Sequence, residues 1–363
     1  MTPSNRHTVI TGTGRSIPTK IVPNEEFLDR EFFMDYGQPV EPGTNAHVID
    51  RFRQITDIGE RRYADHDVLT SDLATAAGAA AIEDAGIDPE TLDYVVVAHN
   101  FGEILADNPR IEFVPTLAAR VKQKLAIANP SCIAYDLPFG CPGWVQAMIQ
   151  CNYFLRSGDA SRALIIGAEI LSRVSDPHDR DSMIYSDGAG AAVLEAREGA
   201  EPTGILAHAV RSDTLDHAKL LWMGESYNPD FKDNALFLKM FGRKLYNYAL
   251  TYVPGVVKQS LERAGLDLAD VTKLFLHQAN AKMDEAILVR LFRLYDAGQP
   301  DPEAVMPMSI SWLGNSSVAT VPTLLDLVLK GEIEGHELNP GDIVVFASVG
   351  AGMNINSVVY RWV

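Results

Sequence analysis

The sequence has few cysteines, and none of them lies at a spacing that binds zinc. Cys132, Cys141 and Cys151 are odd in number and contain no Cys-x-x-Cys pair. This scarcity argues against a disulfide framework and against a zinc site, and it is typical of a protein kept in a reducing cytosol. We therefore expect a cytoplasmic protein with free thiols and no metal ion.

Long apolar runs and an excess of positive charge are also missing. No apolar run is long enough to span a bilayer, and residues 1–7 are polar and lack the apolar core of a signal peptide. The 48 acidic residues outnumber the 31 Lys and Arg residues, which gives a net charge of −17. This charge disfavours nucleic acid or an anionic membrane as the main partner, and we expect neither.

Alternating helices and apolar strands are the main pattern along the 363 residues. Residues 94–98 and 163–168 are continuous apolar runs, which are typical of strands covered on both faces. Residues 71–84 form an alanine-rich helical pattern that begins at Ser71, a preferred N-cap residue. The alternation predicts an α/β protein, and the length leaves room for two domains.

An internal repeat relates the two halves of the chain. Ala85-Gly86-Ile87-Asp88 ends one helix and leads through a strand to His99, and Ala264-Gly265-Leu266-Asp267 leads in the same way to His277. A second pair of similar apolar strands is separated by nearly the same number of residues. Two weak matches at one offset suggest duplicated α/β halves, whose equivalent strand ends would meet at a ligand site.

One cysteine lies between a short strand and a long apolar helix. Residues 134–137 are the predicted strand end before Cys141, and the predicted helix begins at Pro142 and ends before Gly158. This helix is apolar on nearly every face and should be buried. A thiolate at the positive end of a helix is stabilised by its dipole and free N–H groups. The alternative is a buried structural cysteine, and this segment alone leaves both interpretations open.

Three polar features follow downstream. His277 ends a predicted strand, where a histidine can exchange protons or can simply be satisfied by a backbone group in the core. Asn315 begins a predicted helix, and Asn is an ordinary cap there. The turn Gly350-Ala-Gly352 could present a backbone N–H to an oxyanion or only reverse the chain. A cysteine followed by His and then Asn is the order expected of a thiol nucleophile with two polar helpers.

Five short motifs occur in a fixed order, namely Gly140-Cys141-x-Gly143-Trp144, Asp187-Gly-Ala-Gly-Ala191, His277-Gln-Ala-Asn280, Gly314-Asn315-Ser316-Ser317 and Gly350-Ala-Gly352. In this order the sequence resembles the β-ketoacyl-acyl carrier protein synthase III family of thiolase-fold condensing enzymes over residues 8–363. The resemblance implies a thiolase-like fold of two duplicated halves in α-β-α-β-α layers. Residues 1–200 would carry the cysteine, and residues 201–363 the histidine and asparagine.

The resemblance also implies roles for the matching residues. Cys141 would be acylated by a thioester, and His277 and Asn315 would hydrogen-bond the thioester carbonyl of a malonyl-type extender as CO₂ leaves. The backbone N–H groups of Cys141 and Ala351 would hold the tetrahedral oxyanion. Such an enzyme needs no metal or redox cofactor, takes acyl carrier protein or acyl-CoA as its partner, and is a homodimer.

Some positions depart from the family pattern. Arg51 and Ile55 stand where the family has the Trp and Arg that grip the adenine of coenzyme A, which favours a specialised acyl substrate. Lys282 replaces an arginine that follows the histidine motif. It keeps a positive charge for binding substrate or carrier but loses bidentate geometry. The choice between coenzyme A and carrier protein stays open.

A loop predicted over residues 101–115 has no strong pattern and exceeds the family norm in length. It carries Glu103, which we expect to be an exposed loop glutamate. Some relatives use a loop glutamate as a base when they condense two long acyl chains, so a catalytic Glu103 is the alternative.

Three functions compete at the level of sequence. The leading one is decarboxylative Claisen condensation of an acyl thioester with a malonyl- or β-ketoacyl-type thioester in fatty acid, polyketide or lipid biosynthesis, with cyclisation to alkylresorcinol-type products as a variant. The second is cysteine-dependent acyl transfer to an alcohol or water without a new C–C bond. The third, a non-catalytic partner subunit, is disfavoured because Cys141, His277 and Asn315 are all present.

Overall fold

The computed structural model describes residues 5–34, 37–41, 44–232 and 234–363, without the side chains of residues 108–109. Of the polar N-terminal segment, residues 1–4 lie outside the described residues. The strands are β1 (Arg6–Ser16), β2 (Lys20–Pro23), β3 (Phe33–Met34), β4 (Gln38–Pro39), β5 (Glu60–Tyr63), β6 (Tyr94–His99), β7 (Glu103–Leu105), β8 (Asn108–Glu112), β9 (Ile133–Pro138), β10 (Arg162–Ile170), β11 (Asp187–Glu198), β12 (Gly204–Ser212), β13 (Leu221–Gly224), β14 (Phe237–Met240), β15 (Val271–Leu276), β16 (Ile343–Gly350) and β17 (Asn354–Arg361). The α-helices are α1 (Asn45–Thr56), α2 (Thr70–Ala85), α3 (Leu117–Lys124), α4 (Gly143–Ser157), α5 (Thr214–His217), α6 (Gly242–Ala264), α7 (Ala281–Arg293), α8 (Pro302–Val305), α9 (Ile310–Leu313) and α10 (Thr320–Leu329).

Two sheets organise the chain, and they share one topology. The first has the strand order β1-β11-β10-β6-β9, and the second has the order β12-β17-β16-β15. In the first sheet β11 is antiparallel to both its neighbours, and β6 runs parallel to β10. In the second sheet β17 is antiparallel to both its neighbours, and β15 runs parallel to β16. One arrangement of four strands therefore occurs twice.

Helices cover the outer faces of both sheets and fill the space between them. α2 and α3 pack on the outer face of the first sheet, and α6 and α7 pack on the outer face of the second. Between the sheets, α4 and α10 share one apolar core with strands of both sheets. Because each sheet is buried on both faces, its strands are continuous apolar runs, as the sequence indicated. The α-β-α-β-α layering is the predicted one.

The central layer is closely packed around α4. Trp144 and Met148 are fully buried, so this helix is apolar on nearly every side, as predicted. A Cβ at Gly167 would lie 2.4 Å from the carbonyl oxygen of Val318, and one at Gly143 would lie 3.2 Å from the Val318 Cγ2 atom. Glycine at these positions lets the segment before α10 pack against β10 and α4, which brings it beside Cys141.

Two local predictions are wrong. Residues 101–115 include a short hairpin, because β7 pairs with β8 in antiparallel register. Ser71 is not the N-cap of α2, since the cap is Leu69, whose N–H donates to the Asp72 carboxylate at 2.9 Å. In this capping interaction the side chain that bonds to the backbone is that of the acidic residue at the third helical position, and the N-cap residue has no polar side chain.

Candidate active site

Cys141 lies in the turn between β9 and α4. Gly140 has φ of 77°, a left-handed conformation that glycine adopts without strain, and the N–H of Gly143 donates to the Gly140 carbonyl at 2.8 Å. Pro142 is the N-cap rather than the first helical residue, and Gly158 is the left-handed C-cap that the sequence predicted. The turn therefore presents the thiol at the N-terminus of a buried helix.

The Cys141 thiol is held in its neutral form. Burial raises the pKa of Cys141 to about 11, the negative charge of Glu169 acts in the same direction, and a hydrogen bond from Ser317 opposes it. The Ser317 Oγ donates to the Cys141 Sγ at 3.2 Å. A helix N-terminus stabilises an anion by only about 0.3–1 kcal/mol, which burial exceeds here. At neutral pH the folded chain therefore holds a thiol and not the dipole-stabilised thiolate that was one of the two interpretations left open by the sequence.

His277 follows the last residue of β15 and is neutral at pH 7. Its backbone N–H donates to the Ala347 carbonyl on β16 at 2.8 Å, which places the ring at the carboxyl end of parallel strands. Burial lowers the pKa of His277 to about 4. Within the described ranges the ring Nδ1 is buried without a hydrogen-bond partner. The side chain is thus an uncharged imidazole that can donate to or accept from a ligand.

Asn315 holds its own loop in shape. Its N–H donates to the Ile184 carbonyl at 3.0 Å, and its carbonyl accepts from the Ser186 N–H at 2.9 Å. Its Oδ1 accepts from the Ser317 N–H at 2.7 Å. The predicted helix from residue 315 starts only at Thr320, after one 3₁₀ turn, so Asn315 is not its cap. With Oδ1 engaged, the Nδ2 amino group is the part of the side chain left for a ligand.

The glycine turn at the end of β16 packs directly against the cysteine turn. A Cβ at Gly350 would lie 2.8 Å from the backbone nitrogen of Cys141, and one at Gly140 would lie 3.2 Å from the backbone nitrogen of Ala351. The Ala351 carbonyl accepts from the Asn354 Nδ2 at 3.0 Å. The backbone nitrogens of Cys141 and Ala351 are therefore in adjoining turns, where two N–H donors could reach one oxygen.

One cavity joins the residues that the sequence singled out. Cys141, His277 and Asn315 all line it, although they come from three distant parts of the chain. Its remaining walls are mostly apolar and come from Asn100, Ile184, Tyr185, Leu221, Leu238, Met240, Leu245, Ala279, Met283, Ser317, Val349, Gly350 and Ala351. The cavity volume is about 50 Å³. This volume matches that of a small reacting group.

The remaining predicted residues lie outside this cavity. Lys282, Arg51 and Ile55 are exposed on the surfaces of α7 and α1. Glu103 is fully buried, so the expectation of an exposed loop glutamate is wrong. The β7–β8 hairpin turns it inward, where its Oε1 accepts from the Ser71 N–H at 3.3 Å. Such burial depends on tertiary packing that the loop sequence does not reveal.

Three polar residues near the thiol were missed in the sequence. Asn100 and Glu169 occur at or just beyond the carboxyl ends of β6 and β10, and Ser317 lies within the asparagine motif. Ser317 also has φ of 52°, which is uncommon for a residue with a Cβ. Their position in the sequence could have identified them, because ligand sites of α/β sheets form beyond the carboxyl ends of parallel strands.

No three His, Cys, Asp or Glu side chains within the described ranges come close enough together to hold a metal ion. None of the helices in this part of the chain combines the length and the apolar character needed to cross a membrane.

Comparison with protein families gives two matches in separate parts of the chain. Residues 135–214 match the family described as 3-oxoacyl-[acyl-carrier-protein (ACP)] synthase III, and residues 261–362 match its C-terminal family. The β-ketoacyl-[acyl-carrier-protein] synthase III of Erythrobacter litoralis is 33% identical over 355 residues, which is 97% of this chain and 98% of that protein. The likeness thus extends over both sheets.

Solved structures show the same architecture. The 3-oxoacyl-[acyl-carrier-protein] synthase III of Aquifex aeolicus superimposes with a TM-score of 0.78 at 26% identity, covering 98% of this chain and 100% of that one. The priming β-ketosynthase of the R1128 polyketide pathway gives a TM-score of 0.79 at 26% identity, covering 100% and 98%. These likenesses confirm the predicted thiolase-like α/β fold.

Proposed function

The chain belongs to the 3-oxoacyl-[acyl-carrier-protein] synthase III family of condensing acyltransferases, and from this premise we propose how its cavity carries out decarboxylative Claisen condensation. Cys141 is the nucleophile, and His277 and Asn315 are the donors that act on the extender. The observation that carries this proposal is the single cavity lined by all three side chains, with the imidazole held neutral by burial.

The first half-reaction loads an acyl group onto the sulfur. The Cys141 sulfur attacks the carbonyl of an acyl thioester, the new S–C bond forms, and the bond to the carrier sulfur breaks. The thiol proton leaves with the carrier thiol, so charge is conserved. The N–H groups of Cys141 and Ala351 donate to the oxyanion of the tetrahedral intermediate. One such donor typically contributes about 10²–10³ in rate.

The second half-reaction forms the carbon–carbon bond. A malonyl-type thioester places its carbonyl oxygen between His277 and Asn315, and loss of CO₂ leaves an enolate that these donors stabilise. The enolate carbon attacks the acyl carbonyl to form the C–C bond, and the bond between that carbonyl and the Cys141 sulfur breaks. The sulfur leaves as a thiolate and takes a proton from water, which restores the thiol. Uncharged donors suit this step, because a carboxylate beside the enolate would repel it. The low pKa of His277, about 4, keeps the imidazole uncharged at neutral pH.

The family membership supports a choice of substrates. We propose acyl carrier protein or acyl-CoA as the acyl donor, with Lys282 as an exposed cation near the start of α7 that contacts the carrier or its phosphate. Arg51 and Ile55, which stand where the family has Trp and Arg, support a specialised acyl group. We further propose a homodimer without a metal or redox cofactor. A cytoplasmic location is supported by the free thiols of the three cysteines.

Labelled malonyl-carrier protein tests the reaction. With a panel of acyl donors, the expected result is release of CO₂ together with a product that contains a new C–C bond. A His277→Ala variant should retain acylation and lose condensation. Consumption of the acyl donor with only free acid or ester as product would instead indicate acyl transfer to water or an alcohol and would contradict the proposal.

A further inference from the structure

A chain of partly buried hydrogen bonds leads away from the sulfur through Ser317 and Asn100 to Glu169. The Ser317 Oγ donates to the Cys141 Sγ at 3.2 Å. The Asn100 Nδ2 donates to the Ser317 Oγ at 2.9 Å. Glu169 Oε1 accepts from both the backbone N–H of Asn100, at 2.6 Å, and its Nδ2. Asn100 lies just beyond the end of β6, and Glu169 lies within β10, so the first sheet positions both residues.

The chain fixes the direction of the serine proton. A hydroxyl has one proton to donate, and its oxygen can accept from other donors. Asn100 supplies a hydrogen bond to this oxygen, so the single Ser317 proton is directed at the sulfur. Glu169 accepts from two N–H groups of Asn100 and thereby sets the orientation of the amide, with its amino group facing Ser317.

The backbone conformation of Ser317 is also constrained by its surroundings. Its φ of 52° lies in the left-handed region, and the Asn315 Oδ1 accepts from its N–H at 2.7 Å. A non-glycine residue keeps this conformation only where the surroundings impose it. The serine is also 4% exposed, so water does not compete strongly for its hydroxyl.

We propose that Ser317 is a positioning residue of the condensation, which rests on Cys141 being the nucleophile. Its hydroxyl orients the sulfur and stabilises the thiolate as it forms, and Asn100 and Glu169 direct that hydroxyl. A hydrogen bond to a charged acceptor is about twice as strong as one between neutral groups, so the bond strengthens as the thiol ionises.

Three titratable groups surround the sulfur. His277 lies beyond β15, Tyr185 precedes β11, and Glu169 belongs to β10. Burial lowers the pKa of His277 to about 4 and raises that of Tyr185 well above 10, so both stay uncharged between pH 7 and 9. Burial raises the pKa of Glu169 to about 8, and its ionised form opposes the thiolate. Glu169 thus orients Asn100, while its negative charge disfavours ionisation of the thiol.

The test is the rate at which iodoacetamide alkylates Cys141 across pH 7–10, followed by peptide mass spectrometry. It needs no acyl substrate, so its outcome is independent of whether condensation is observed. Ser317→Ala should slow alkylation about tenfold at pH 8 and move the thiol ionisation to higher pH. Ser316→Ala is the matched control, because it makes the same change one residue away and should leave the profile unchanged. Thermal unfolding verifies that each variant is folded.

Glu169→Gln separates orientation from charge. Glutamine keeps an oxygen that accepts from Asn100 but cannot ionise, so alkylation at pH 9 should be a few times faster than in the wild type. An unchanged profile for Ser317→Ala would overturn the role of Ser317. Slower alkylation of Glu169→Gln, equal to that of Ser317→Ala, would overturn the role assigned to the Glu169 charge.

Discussion

At the scale of the residue, burial holds both reacting side chains uncharged. It raises the pKa of Cys141 to about 11 and lowers that of His277 to about 4. A thiolate–imidazolium pair is therefore not the resting state at neutral pH. The proposed mechanism instead uses local hydrogen-bond donors whose interactions strengthen as negative charge develops on the sulfur and on the extender.

The protonation state of His277 gives a prediction about pH. Because its pKa is about 4, the imidazole stays neutral as the pH falls from 7 to 5, whereas an ordinary histidine would gain a proton. Decarboxylation of malonyl thioester by the acylated enzyme should show no ionisation near pH 6.5. The measurement is a single-turnover pH profile of CO₂ release, and a break near 6.5 that His277→Ala abolishes would contradict the proposed neutral donor.

Asn315 offers a substitution that changes one function of the side chain at a time. Asn315→Asp keeps an oxygen that accepts from the Ser317 N–H, but it replaces the Nδ2 donor by a negative oxygen. CO₂ release should fall by at least about 10²-fold, while acylation of Cys141 proceeds near the wild-type rate. Rapid-quench measurement of both half-reactions tests this. Equal losses in the two half-reactions would assign Asn315 to the structure of the site rather than to the enolate.

At the scale of the element, the site depends on two turns in close contact. The turn after β9 carries Cys141, and the turn after β16 carries Ala351. No Cβ fits between them at Gly350, where it would lie 2.7 Å from the Pro142 Cδ. The geometry of Cys141, the proposed nucleophile, is thus coupled to the end of a strand in the second sheet.

Gly350→Ala should damage chemistry more than folding. The added methyl group displaces the Cys141 turn by several tenths of an ångström, and we expect acylation to fall by about 10²-fold. Gly255→Ala is the control, because a Cβ there meets no atom within 4 Å and alanine favours the helix α6. Wild-type acylation by Gly350→Ala would show that the contact between the turns does not position the nucleophile.

The β13–β14 hairpin, which supplies Leu221, Leu238 and Met240 to the cavity, is held by a buried cation. The Lys239 Nζ contacts the carboxylates of Asp176 and, at 3.4 Å, Asp179. Lys239→Met leaves two carboxylates without their charge partner. We expect a loss of about 3–5 kcal/mol in unfolding free energy. The exposed Lys219→Met is the control. Denaturant unfolding of both variants measures this loss. Equal stability of the two variants would contradict this account of the hairpin.

The sequence predicted regular elements better than local environments. Apolar runs identified β6 and β10 because both faces of each strand are covered, and Gly158 correctly ended α4. The β7–β8 hairpin escaped notice because its short strands lack alternation, and the burial of Glu103 arises from packing on α2. Ser317 belongs to a motif that the sequence shows. Its contact with the sulfur, however, depends on close packing at Gly167, which is 150 residues away in the sequence.

At the scale of the molecule, the proposed function depends on the meeting of two similar halves. We propose that residues 1–200 and 201–363 are the duplicated halves, which the shared strand order of the two sheets supports. The first contributes Cys141, the second contributes His277 and Asn315, and the equivalent strand ends face one cavity. Under the proposed mechanism neither half alone supplies both the nucleophile and its donors, so the proposed reaction requires the complete fold.

Intact-mass spectrometry after incubation with a panel of acyl-CoA and acyl-carrier-protein thioesters tests the central claim most directly. The wild type and Cys132→Ala, a control at another buried thiol, should each gain the mass of one acyl group, and Cys141→Ala should gain none. An acyl adduct that persists on Cys141→Ala, or a wild type that stays unmodified with every thioester, would contradict the assignment of Cys141 as the residue that carries the acyl group.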